Sequence, residues 1–182
     1  MAAFREDKLA SLIAYLTVQS KDDRWFGKVK LAKLLTFIDF AAYVRWGSSI
    51  TNAQYLKLDL GPVPRQLDST LNLLKAKGQL ELVPTVIEVK GKKYDQDRPT
   101  ATPSTAWPAI VPSERALSDE MMRRYHDDTA TDLSELSHQF PGWAVVKLRH
   151  TIPFHMAFID LAGPTEQDYH DSEALAEQFG WT

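Results

Sequence analysis

Residues 28–46 read KVKLAKLLTFIDFAAYVRW, and Gly47 follows. Leu31, Leu34, Leu35, Ile38, Ala41 and Ala42 recur at helical spacing and make one long apolar face. A helix over about Lys28–Trp46 is expected, closed by Gly47, since a left-handed C-cap favours a residue without Cβ. Asp39 sits mid-helix among apolar neighbours. A buried carboxylate needs a partner, because an unpaired charge in an apolar interior costs several kcal/mol. An internal bond to Lys33, to Tyr55 or to a backbone N–H of the 61–64 turn is the expectation. The competing reading makes Asp39 an acceptor for a partner's cation.

On the N-terminal side, Leu9, Leu12, Ile13 and Leu16 predict a helix over Phe4–Val18, ended by polar residues 19–24. On the other side, residues 48–60 alternate well enough for short extended pieces. Gly61-Pro62-Val63-Pro64 reads as a turn opening a third helix from about Pro64 to Lys77. Leu67, Leu71 and Leu74 mark its inner face, and Gly78 ends it. A small hairpin follows in Gln79–Glu81, Val86–Val89 and 93–95, turning at Lys90–Lys93, with Pro84 at an edge or irregular stretch.

Pro99, Pro103, Pro108 and Pro112 make 98–112 a Pro-rich surface loop. Ser118 is expected to cap a helix over Asp119–Asp127. Thr129 and Asp132 have capping-box spacing for a helix to about Gln139, stopped by Pro141-Gly142. Short helices are expected within Trp143–His150 and within Pro153–Leu161, an apolar stretch but for Asp160. Thr165 or Ser172 would cap a last helix in 165–182, ending near Phe179. The expected class is α+β, predominantly α-helical: a helical domain with a small β-hairpin, one domain over 1–182. Residues 28–95 also have the outline of a winged helix.

The 182 residues are 44% hydrophobic and 25% charged, an ordinary globular balance. No apolar run reaches the length of a membrane span, and MAAFREDKLA carries charges where a signal peptide needs an apolar stretch. Cysteine is absent, which excludes disulfides, thiolate metal sites and cysteine nucleophiles and fits a cytoplasmic setting. A net charge of -3 disfavours nucleic acid as partner, since phosphate neutralisation needs cations. No Gly-rich phosphate loop, HExxH or GxSxG motif occurs, so neither a catalytic centre nor a cofactor is expected.

Glu135 and His138 share a helix face, with His126, Asp127, Asp128 and Asp132 nearby in sequence. A metal-dependent hydrolase can be imagined there; the bland reading is a solvated acidic helix end, and no metal site is expected. Trp25, Phe26, Trp46, Trp107 and Trp181 lie at element ends or in loops. Tryptophan is enriched among binding hot spots, so Trp25, Phe26, Trp46 and Trp107 are candidate partner contacts. Each can equally be a core plug, with Trp107 the one expected to be partly exposed. In a DNA-binding reading, Arg65 and the hairpin residues Lys90, Lys92 and Lys93 would meet phosphates.

Three stretches, in this order and spacing, resemble the Panacea (SocA-like) antitoxin family. They are Lys33-Leu34-Leu35-Thr36-Phe37-Ile38-Asp39; then Gly47, Ile50-Thr51 and Gly61-Pro62-Val63; then Leu133 to His138 with Pro141-Gly142-Trp143. The signature spans about residues 28–145. Thr36 and Leu60 depart from it, standing where the family often has aromatics. The resemblance implies a cytoplasmic bacterial or phage antitoxin that binds a cognate toxin directly, and in one member delivers it to a protease. It makes Lys33, Asp39, Gly61, Pro62, Val63, His138 and Trp143 the motif positions, with structural roles. For His138 that role is a bond at a helix C-terminus or packing on Trp143.

Overall fold

The structure, a computed structural model, describes residues 3–89, 91–159 and 166–180. Lys90, Asp160, Thr165 and Trp181 lie outside the described residues. The fold is α+β and predominantly helical. Its helices are α1 (Glu6–Gln19), α2 (Lys28–Trp46), α3 (Leu67–Ala76), α4 (Pro112–Arg124), α5 (Ala130–His138), α6 (Pro141–Val145) and α7 (Glu166–Phe179). A 3-10 turn spans Phe154–Phe158. Strands β1 (Tyr55–Leu58), β2 (Gly61–Pro64) and β5 (Thr151–Ile152) form one antiparallel sheet in the order β2-β1-β5; β3 (Leu80–Val89) and β4 (Lys92–Ala101) form a separate hairpin.

α2 is the central element. It packs against α1, α4, α5, β2, β4 and the 3-10 turn. The single apolar face expected for it is too narrow a description: from Lys30 to Phe40 every residue but Phe37 is buried. A helix surrounded on all sides buries polar positions too, and each of these must find a partner inside. Gly47 closes it in the left-handed region, φ 73°.

Two apolar clusters result. The larger joins α1 (Leu9, Leu12, Ile13, Leu16) to α2, α3 and α4, with Phe26 and Ile110 filling between them. The smaller is aromatic and centres on Phe40, whose ring lies 5.5 Å from Tyr55, 4.8 Å from Phe140 and 4.7 Å from Phe154.

Several boundaries differ from the sequence reading. Gly61–Pro64 is not the start of α3 but a strand, pairing Tyr55 with Pro64 and Leu58 with Gly61. The hairpin is continuous over ten residues a side, from Leu80↔Ala101 to Val89↔Lys92, so 98–101 belongs to a strand and not to the Pro-rich loop. Pro84 and Pro99 are tolerated because each strand of a two-stranded ribbon has an open edge, where a missing N–H breaks no ladder bond. α4 begins at Pro112, a residue suited to the first helical position. Ser118 is therefore not a cap; it lies inside α4 and donates to the Glu114 carbonyl, 2.8 Å. Glu114 instead accepts from the Val111 N–H, 2.9 Å. Ser172 likewise falls within α7, which ends at Phe179 as expected. The two helices expected after Trp143 shrink to α6 and the 3-10 turn, with β5 between them. The Thr129–Asp132 box is present: Asp132 N–H donates to Thr129 Oγ1, 3.2 Å, and Asp132 Oδ2 accepts from the Thr129 N–H, 2.9 Å.

Candidate functional site

The charged motif residues Lys33 and Asp39 lie on the buried interior of α2. Lys30, Lys33, Thr36 and Asp39 recur every third residue and are all buried. Each ties α2 to a different piece of chain. Lys30 Nζ is 2.7 Å from Asp23 Oδ2 and donates to the carbonyls of His126, 2.9 Å, and Asp128, 2.7 Å. One cation thus holds the α1–α2 loop and the α4–α5 loop together. Lys33 Nζ donates to the Pro62 carbonyl, 3.2 Å, and among the described residues no carboxylate pairs with it. Burial pushes its pKa down to about 8. Thr36 Oγ1 bonds the Ala32 carbonyl, 2.9 Å, and lies 3.4 Å from the same Pro62 carbonyl.

Asp39 accepts from the backbone N–H groups of Ile50, 2.8 Å, and Thr51, 3.0 Å, from the Thr51 hydroxyl, and from the Tyr55 hydroxyl, 2.8 Å. Burial raises its pKa against the pull of those four bonds. The internal-bond expectation holds with a change of partners. Tyr55 is one; Lys33 and the 61–64 turn are not, and the 50–51 turn supplies the backbone donors instead. Both charged motif side chains are wholly buried, so neither can touch a substrate in this fold.

Gly61 sits where these elements cross. Its φ is 97°, and a Cβ there would fall on Ser137 Oγ and 2.6 Å from Lys33 Nζ. Only glycine lets β2 lie this close to α2 and α5. Pro62 supplies the carbonyl that Lys33 and Thr36 share, and Val63 packs against the larger core. At the other end of the motif, His138 stacks on Trp143 with centroids 3.9 Å apart and planes 16° from parallel. Packing on Trp143 is the structural role His138 takes. The Trp143 Nε1–H donates to the Leu58 carbonyl, 3.2 Å, and Lys57 Nζ lies 4.3 Å over its ring. Gly142 permits the approach of Ile152, Phe140 and Met156 to this corner.

The candidate surface residues do not form one patch. Phe26 is wholly buried in the larger core, so it is a core plug and not a partner contact. Trp25 is half-buried beneath the Arg24 guanidinium, 3.9 Å away, and borders a groove of about 380 Å³ against the hairpin. Trp46 is exposed at the far end of α2, and nineteen helical residues separate the two by about 28 Å. Trp107 is half-buried edge-to-face on Tyr15, 5.6 Å. Arg65 is exposed and held to Gln54. Lys92 and Lys93 are exposed at the hairpin tip. His126 pairs with the neighbouring Asp127, 3.0 Å, and among the described residues no group of three His, Asp or Glu is placed to hold a metal ion.

Arg98 carries a role the sequence reading missed. From β4 its guanidinium donates to the carbonyls of Ser20, Lys21, Asp23 and Phe26, clamping the hairpin to the end of α1. No local pattern marks it, because all four acceptors are backbone atoms some 75 residues away.

A family model described as antitoxin SocA-like, Panacea domain, matches residues 31–144. No curated protein and no solved structure matches the chain.

Proposed function

The chain belongs to the SocA-like Panacea antitoxin family, and from that premise we propose that it neutralises a cognate toxin by binding it directly. Family membership is the observation that carries this reading. The interior agrees with it: Lys33 and Asp39, the motif's charged side chains, are sealed and engaged in the fold itself. Motif residues used this way build a rigid platform, and a preformed surface limits the entropy lost on binding. The toxin's working surface would be covered sterically, through a few anchor side chains and a charged rim. The setting would be the cytoplasm, and delivery of the captured toxin to a protease is the finer form of the same proposal.

Co-expression tests it. The gene beside this one is induced alone, then with this chain, and a tag on this chain is used for pull-down. Growth arrest by the neighbour, relieved on co-expression together with recovery of a complex, is the expected outcome. A harmless neighbour that does not co-purify would sink the antitoxin reading.

A further inference from the structure

The corner around Trp143 carries a surface that the buried motif does not explain. The stretch from Pro141 to Ile159 contains Lys147, Arg149, His150 and His155 and not one Asp or Glu, in a chain whose net charge is -3. The structure brings Lys57 of β1 against the part of this stretch that carries Lys147 and Arg149. The Arg149 N–H donates to the Lys57 carbonyl, 2.7 Å, and the Lys57 N–H donates to the His150 carbonyl, 3.0 Å. The 147–150 loop is thereby laced to the end of β1, and the Lys57 ammonium stands over Trp143 beside it. Asp59, in the β1–β2 turn, is the one acid on the adjoining hairpin. No ion pair neutralises Lys57, Lys147 or Arg149 among the described residues.

Exposed aliphatic side chains lie among these charges. Leu148 sits between Lys147 and Arg149 and is 44% exposed; Val145, one turn earlier, is 55% exposed. Leu60 is 62% exposed, two residues past the Leu58 carbonyl that Trp143 bonds. The backbone is held in a form a side chain rarely adopts: Arg149 has φ 65°. A non-glycine residue in the left-handed region persists only where its surroundings impose it, and here the Lys57 bonds do so. The loop is thus set before any partner arrives.

We infer that this corner, formed by the 147–150 loop, the end of β1 and the β1–β2 turn, is the face that receives the toxin, and that it takes an acidic patch with an apolar centre. The inference rests on the antitoxin reading and adds the face and the chemistry of its counterpart. Charge complementarity selects an acidic occupant. The aliphatic side chains among the cations select a protein over nucleic acid, since a phosphate backbone offers nothing to cover Leu60, Val145 and Leu148.

The test is binding of the purified product of the neighbouring gene, taken as the toxin, to the full chain at low and high salt. It compares wild type, Lys147→Glu/Arg149→Glu, the single variant Leu148→Glu, and a control reversal at the hairpin tip, Lys92→Glu/Lys93→Glu. Thermal melts show that each variant is folded. The loop double variant is expected to weaken binding about tenfold or more and to flatten its salt dependence, with Leu148→Glu weakening it as well and the control unchanged. If wild type binds the toxin and the folded loop variants bind equally well, the face is wrong while the antitoxin reading stands. If wild type binds no toxin, both fall. If the loop variants lose affinity for a DNA duplex and not for the toxin, the corner is a phosphate surface and the inference is overturned.

Discussion

The Tyr55 hydroxyl lies 2.8 Å from Asp39 Oδ2 and 2.9 Å from the Leu35 carbonyl, with both side chains wholly buried. β1 is thereby bolted to the middle of α2, and Asp39 carries that junction together with the 50–51 turn. Removing the carboxylate leaves two backbone N–H groups and the Thr51 hydroxyl without their acceptor, and the Tyr55 hydroxyl with the Leu35 carbonyl alone. Asp39→Ala is therefore expected to destabilise the protein by about 3 kcal/mol or more, and Tyr55→Phe by about 1 kcal/mol. Urea unfolding measures both, and a loss under 1 kcal/mol for Asp39→Ala would contradict the account.

Lys33 gives a pH signature. Its folded pKa is about 8 against an ordinary value of 10.5. Between those values the unfolded chain binds more protons than the native one, so this group makes stability rise with pH from about 8 to 10.5. Below 8 the penalty of burying the charge is fully present. Lys33→Met removes it and is expected to match or exceed wild-type stability at pH 7, by up to about 4 kcal/mol. The difference between the two proteins should shrink across that window. A difference independent of pH would show that Lys33 is not buried as a cation.

Gly61 and Gly78 make a matched pair. Both have positive φ, 97° and 65°, but only at Gly61 does a Cβ collide with neighbours. Gly78→Ala should cost about 1 kcal/mol of backbone strain. Gly61→Ala should cost clearly more, since Ser137 and Lys33 must also move. Equal costs in paired denaturation curves would argue against the close crossing of β2 with α2 and α5.

Arg98 should control the hairpin more than the core. Arg98→Ala frees four carbonyls around Ser20–Phe26, and a two-stranded ribbon alone is marginally stable. Hydrogen exchange should accelerate across β3, β4 and the α1–α2 loop while α2 stays protected. Unchanged exchange there would mean the clamp is dispensable.

Phe26 and Trp46 should separate by role. Phe26→Ala empties a site in the larger core and should cost about 3–5 kcal/mol. Trp46→Ala, at an exposed helix end, should change stability by less than about 0.5 kcal/mol. A large stability loss for Trp46→Ala would place its ring in a contact absent from this fold.

The features legible in the residues alone are local or compositional. Helical spacing from Leu31 to Ala42, the Gly47 stop and the Thr129–Asp132 box are each written in residues close together in the chain, and the family motif is legible in the order and spacing of its three stretches. Asp39 was legible as needing an internal partner, because the cost of a buried charge does not depend on the fold. Tertiary structure decided which partner answered. Ile50 and Thr51 lie eleven and twelve residues on, and Lys30 reaches carbonyls nearly a hundred residues away. It also turned Gly61–Pro64 from a helix start into a strand, since pairing with β1 outweighs the local preference of proline for a helix's first turn. Phe26 and Trp25, adjacent in sequence, ended on opposite sides of the core boundary for the same reason. Burial is set by what packs from elsewhere in the chain, and no local pattern carries that information.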